Sequence, residues 1–111
     1  ARAAEAATSS ARATRAARAG ASHLADPEIA ELHAAYTHQE LLLRRELELG
    51  DDVAVNPTGG VLAGHAMFAA GLGRIGAAAR HIHDGRANRT LAHASNGPLL
   101  QQNLICRLES R

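Results

Sequence analysis

The chain has 111 residues, enough for one domain and too few for two. Apolar residues make up 46% but aromatics only 2%, with one Phe, one Tyr and no Trp, so a core built here alone would be thin. A formal net charge of +1 gives no global field to draw the chain to nucleic acid or to an anionic membrane. That composition predicts one part of a larger fold or an obligate oligomer. No apolar run approaches the ~18 residues of a membrane span. The single Cys106 excludes an intramolecular disulfide and suits a reducing, cytoplasmic compartment.

Residues 1–21 read as a helix that is rich in alanine and arginine, both strong helix formers, with Gly20 as its stop. The same composition suits a transit peptide, but an ordinary helix is the simpler expectation. It has no strong apolar stripe, so it either packs through alanine against a close neighbour or is weakly held. Ala25-Asp26-Pro27 breaks the chain, which divides it into an alanine-rich helix and linker over 1–27 and a second segment over 28–111.

Residues 29–33 alternate enough to predict a short strand. Thr37-His38-Gln39-Glu40 has the form of a capping box, in which Thr37 caps and Glu40 reaches back. The helix it opens should run to Leu49 and stop at Gly50. Val53-Ala54-Val55 is a short extended run into Asn56-Pro57, and a residue before proline is expected to be extended. Gly59-Gly60 then permits backbone angles closed to other residues.

From His65 or Ala66 a second helix is predicted to about His83. Phe68, Leu72, Ile75, Ala79 and Ile82 form one apolar stripe along it. Gly71, Gly73 and Gly76 each cost roughly 1 kcal/mol against alanine in a helix, which suggests that another backbone comes close. Residues 90–94 and 101–109 read as strands joined by the turn Ser95-Asn96-Gly97-Pro98. The predicted order is helix, strand, helix, helix, strand, strand, an α/β arrangement.

Among chemically able residues, His65 stands out. A histidine at a helix start feels the positive end of the dipole, which favours the neutral imidazole that a general base needs. Gly64 beside it would let a substrate or a thiol approach. His33 ends a predicted strand, where α/β folds put their sites. On spacing alone, His93 reads as a core or edge histidine and Tyr36 as a packing residue. His81 and His83 beside Asp84 invite a metal reading. Residues two apart on a helix diverge, however, and cations at a helix C-terminus explain them better. Cys106 lies in an alternating strand and reads as a small hydrophobe. No P-loop and no G-x-G-x-x-G after a strand is present, so a nucleotide site is not indicated.

The segment from about Glu28 to Glu109 resembles the C-terminal end of the thiolase superfamily, in particular its bacterial branch of acetyl-CoA acetyltransferase-like and lipid-transfer-like proteins. Three blocks carry the likeness. V-N-P-T-G-G-V-L-A-G-H-A is similar to the family's N-P-S-G-G…G-H-P block, with one residue fewer before the histidine. A-E-L-H-A-A-Y-T-H-Q-E matches the block that carries N-E-A-F. L-A-H-A-S-N-G-P-L-L-Q-Q-N-L-I-C-R-L-E matches the closing hairpin, where thiolases have C-x-G-G-G.

The resemblance implies a thiolase-like fold, incomplete in these residues, and acyl transfer or carbon–carbon cleavage on acyl-CoA thioesters. Coenzyme A would enter as substrate, with no cofactor and no metal. His65 would activate the nucleophilic cysteine and help bind the thioester oxyanion. Asn56, Gly59, Gly60 and Gly64 would line the substrate loop. His33 stands where the family has the asparagine of N-E-A-F, and an imidazole N–H could donate in its place. Ala34 replaces the glutamate of that block and Ala66 the proline after the histidine. His93 stands where the second cysteine, the acid/base of the condensation step, is expected, so proton transfer by His93 or a retro-aldol cleavage are both open. The nucleophile-bearing half is not among these residues. Expected partners are therefore that N-terminal half, a second copy of the chain, or the small OB-fold subunit that aldolase relatives use. A non-catalytic acyl-CoA or lipid-binding module is the remaining alternative.

Overall fold

The computed structural model describes residues 2–20, 25–64, 67–97 and 100–111, with the backbone alone for residues 2–10. The elements are α1 (Arg2–Ala19), β1 (Ile29–Glu31), α2 (Thr37–Glu46), β2 (Ala54–Val55), α3 (Gly60–Ala63), α4 (Ala70–His83), β3 (Arg89–Asn96) and β4 (Gln102–Glu109). The strands form one mixed sheet in the order β2-β1-β3-β4. β1 pairs in parallel with both β2 and β3, while β3 and β4 form an antiparallel hairpin from Arg89↔Glu109 to Asn96↔Gln102. The α/β expectation holds at this level, with the short β2 and α3 added to the predicted order.

The two crossovers run in opposite directions along the sheet. The first goes from β1 outward to β2 through α2, and the second returns past β1 to β3 through α4. Right-handed crossovers in opposite directions put their helices on opposite faces. Along β3 the faces separate by alternation. Thr90 donates its hydroxyl to the Ala78 carbonyl of α4, at 3.2 Å, while Leu91 joins the cluster of Ala30, Leu32, Ala34, Leu43, Leu47 and Val53 under α2. Each buried leucine or valine there contributes about 1.5–3 kcal/mol.

Helix α1 belongs to the same body as the later segment. It lies against β4 and α2, burying Ala11 and Thr14 rather than large side chains. Thr14 donates to Asn103 Oδ1 at 3.0 Å, and Arg15 and Arg18 pair with Glu46 and Glu48. Of the two expectations for this helix, packing through small residues is the one observed. Burial raises the Glu46 carboxyl, but hydrogen bonds from Arg15 and Arg45 outweigh it and hold the group below its ordinary range.

Several local expectations change. Helix α2 ends at Glu46, and its N-cap is Tyr36 with no side-chain cap. Gln39, not Glu40, reaches back, accepting from the Ala35 N–H at 3.0 Å. Glu40 instead accepts from Asn56 Nδ2 at 2.9 Å. Helix α4 begins at Ala70, and Met67 to Ala69 form a turn. The apolar stripe of α4 does not face the sheet: Phe68 is 100% exposed and Leu72 72%. The sheet-facing side carries Ala70, Ala78 and His81, with Gly71 where the helix comes closest. A Cβ on Gly71 would stand 2.9 Å from Ala94 Cβ, so this glycine meets the predicted close approach. Gly73 and Gly76 face open space among the described residues.

Candidate functional site

β1 and β3 end side by side, and their C-terminal ends form one wall of a cavity of about 400 Å³. Parallel α/β sheets commonly bind ligands at this end. His33, Ser95 and Asn103 line its polar side, and Phe68, Leu72 and Leu104 its apolar side. The backbone ladder runs on past β1, with the His33 N–H donating to the His93 carbonyl at 3.1 Å.

One hydrogen bond sets the role of Nδ1 in the His33 ring. The Ser95 backbone N–H donates to His33 Nδ1 at 3.2 Å. An accepting Nδ1 carries no proton, so the neutral ring has its N–H at Nε2. The side chain that lines the cavity is thus a defined hydrogen-bond donor.

His93 is adjacent in the backbone but different in its surroundings. Its ring is on the α1 side, where Nε2 lies 2.6 Å from Asn103 Oδ1. Asn103 Nδ2 donates to the Leu100 carbonyl, which fixes Oδ1 as the acceptor and His93 Nε2 as the donor. Burial drives its pKa down to about 4, against a raising effect from Asn103, and the nearby His33 lowers it further. His93 is therefore neutral at pH 7, only 1% exposed, and not part of the cavity wall.

His65 and Ala66 lie outside the described residues, as does Pro98 of the predicted turn. The loop leading to His65 is described as far as Gly64, and its first residues are engaged internally. Asn56 has a positive φ of 49° rather than the extended geometry expected before proline. Its side chain accounts for this: Oδ1 accepts from the Leu32 N–H at 2.6 Å and Nδ2 donates to Glu40. Asparagine tolerates the left-handed region because such local bonds compensate. Gly59 and Gly60 also have positive φ, and a Cβ on Gly60 would collide with the Asn56 side chain at 2.9 Å. Gly64 is exposed, and a Cβ placed there would meet nothing within 4 Å among the described residues. Tyr36 is exposed and stacks on His38. Cys106 is part-buried, paired with Ala92 across the hairpin.

The residue that sequence reasoning missed is Glu31. It is fully buried, and three side chains surround its carboxylate. Thr58 Oγ1 lies 2.9 and 3.0 Å from the two oxygens, Arg74 Nη1 at 3.0 Å and His81 Nε2 at 2.9 Å. A buried carboxylate needs such partners, because an unpaired charge in the interior costs several kcal/mol. The group ties the substrate-loop candidate, through Thr58, to α4. It also revises His81, which is a buried partner of Glu31 rather than a solvated cation at the helix end. The sequence carried no local signal for it, because an acid in a short, part-alternating strand reads as a solvent-facing residue.

Among the described residues no group of three His, Cys, Asp or Glu stands close enough to hold a metal ion, and no helix is long and apolar enough to cross a membrane. Comparison of the chain with protein-family models, with curated proteins and with solved structures finds no match.

Proposed function

We propose that this chain is the C-terminal segment of a thiolase-like enzyme acting on acyl-CoA thioesters, with His33 as an oxyanion-directed donor and His65 as the base that activates a cysteine. The observation that carries this reading is His33 itself. It lines the cavity at the strand ends, with Ser95 holding Nδ1 as an acceptor and so leaving the proton on Nε2. An N–H donor in a part-apolar cavity suits a thioester oxygen as it gains negative charge. The exposed Met67, Phe68 and Leu72 offer apolar surface of the kind an acyl chain or a covering subunit would bury.

A second reading, retro-aldol cleavage of a β-hydroxyacyl thioester, gains from the state of His93. A buried imidazole with a pKa of about 4 is a poor proton carrier at neutral pH, so it is badly suited to replace the acid/base cysteine of condensation. In the retro-aldol direction the leaving group is a thioester enolate, and the same His33 donor would stabilise it.

The test is to assay the intact protein for acyl-CoA thiolysis and for retro-aldol cleavage, with and without a small partner subunit. His65→Ala should lower turnover by about 10²-fold or more, as loss of a general base does. His33→Ala should lower kcat by about 10²-fold, as loss of an oxyanion donor does. Turnover unchanged in both variants would sink the reading.

A further inference from the structure

The two edges of the sheet are protected unequally. β2, at one edge, is two residues long, and so short a strand offers little to pair with. β4, at the other, runs eight residues and pairs with β3 without a bulge. It contains no lysine and no proline, the common guards of an exposed edge.

The ladder shows which backbone groups of β4 point outward. The carbonyls of Arg89 and His93 accept from the Glu28 and His33 N–H groups, so both residues turn away from β4. Their partners across the hairpin, Glu109 and Ile105, therefore direct N–H and C=O to the free edge, and Asn103 follows by the same alternation. The Ser110 N–H, donating to the Asn88 carbonyl at 2.8 Å, belongs to the opposite, inward set. The main-chain groups of Asn103, Ile105 and Glu109 make no hydrogen bond to another described residue outside the hairpin. Helix α1 covers a face of β4 rather than this edge, since Thr14 meets the Asn103 side chain that also holds His93.

The side chains decide what the edge fits. Leu104, Cys106 and Leu108 pair with Ala94, Ala92 and Thr90, and Thr90 bonds to α4, so this row lies on the α4 face. Leu104 is 54% exposed there and shares a cavity wall with the exposed Phe68 and Leu72. A two-fold axis at Cys106 makes the strand its own complement, as a symmetric interface requires. Leu104 then stands opposite the partner's Leu108, and Asn103, an amide, opposite the partner's Glu109, a carboxylate. Ile105 meets the apolar stem of the partner's Arg107, whose guanidinium is engaged in its own chain, as Arg107 donates to the Ala25 carbonyl. Moving the axis to Arg107 sets arginine against arginine, which is destabilising. Moving it to Ile105 sets Gln102 against the partner's Leu108.

We propose that two copies of this chain pair antiparallel along the outer edge of β4, about a two-fold axis at Cys106, joining their sheets into one. The proposal is independent of the thioester reading, because it uses the strand edge and neither His33 nor His65.

Sedimentation equilibrium of the 111-residue chain tests the pairing, and crosslinking tests its register. The expected result is a dimer with a Kd near or below about 10 µM. At Cys106 the facing residues exchange no backbone bonds, which sets their Cα atoms about 4.5 Å apart, within the span of a disulfide. Diamide, which takes up the two thiol hydrogens, should therefore link Cys106 to the partner's Cys106. Leu104→Cys combined with Cys106→Ala should give no link, because position 104 faces position 108. Ile105→Pro removes an outward N–H without touching the β3 ladder and should abolish the dimer, with circular dichroism reporting the fold. Leu104→Lys, at a position already exposed, should weaken the dimer about tenfold. A monomer at about 100 µM, a link in the Leu104→Cys variant but not through Cys106, or a dimer unchanged by Leu104→Lys overturns the proposal.

Discussion

Among the described residues, the two faces of the sheet each bury one histidine, and the two are built alike except for one partner. His81 on the α4 face and His93 on the α1 face both turn Nε2 toward a side-chain oxygen, and both leave Nδ1 without a partner among the described residues. For His81 that oxygen belongs to the Glu31 carboxylate, itself paired with Arg74. For His93 it belongs to the neutral amide of Asn103, which Thr14 shares. One face therefore encloses an ion network and the other a neutral chain of hydrogen bonds. The same imidazole geometry serves charge on one side and its exclusion on the other.

Removing the anion should break this contrast most severely. Glu31→Ala leaves the half-buried Arg74 without its carboxylate, and loss of one member of a buried pair costs about 3–5 kcal/mol. Urea denaturation should show that loss, and a change below about 1 kcal/mol would mean that the network carries little. The next effect is the pH dependence that His93 supplies. Its ring titrates near 6.5 when unfolded but only near 4 in the fold. The unfolded chain thus binds more protons in that interval, and stability falls as pH drops from about 6.5 towards 4, by about 3 kcal/mol in all. His93→Gln should flatten this part of the profile. Glu28 and Glu46, whose carboxyls are held below their ordinary value of 4.5, lose their contribution at lower pH and can be told apart.

A smaller effect is expected from Asn103→Ala, which strands the His93 N–H and the Thr14 hydroxyl for about 1–3 kcal/mol. Smallest are the glycines of α4. Gly71→Ala presses a methyl group against Ala94 and should destabilise, whereas Gly73→Ala faces open space and should stabilise by about 1 kcal/mol. Thermal melts of the pair should move in opposite directions, and a shared direction would deny the close approach at Ala94.

The parts of this fold legible in sequence were those set by local periodicity. Alternation along 101–109 marked β4, and Gly97 marked the turn of the hairpin. Long-range partners were not legible. Glu31 in Ile-Ala-Glu has the look of a solvent-facing strand residue, and only the fold brings Thr58, Arg74 and His81 to it. The α4 stripe was visible as a pattern, but its orientation was not, because alanine, glycine and a paired histidine can face a sheet as well as leucine can. Of the candidate site, His33 at a strand end was legible from its position. Its fixed tautomer was not, since that depends on Ser95 across the sheet.

The central position of β1 also has a kinetic consequence. β3 and β4 follow each other closely along the chain, whereas Ile29 must find both Ala54 and Thr90, far apart along it. Contacts between distant residues form late because the entropy of loop closure is lost before they stabilise anything. Pulse-labelled hydrogen exchange during refolding should find the hairpin amides protected first and the β1 amides last. Protection arising in the opposite order would show that the chain condenses around β1 instead.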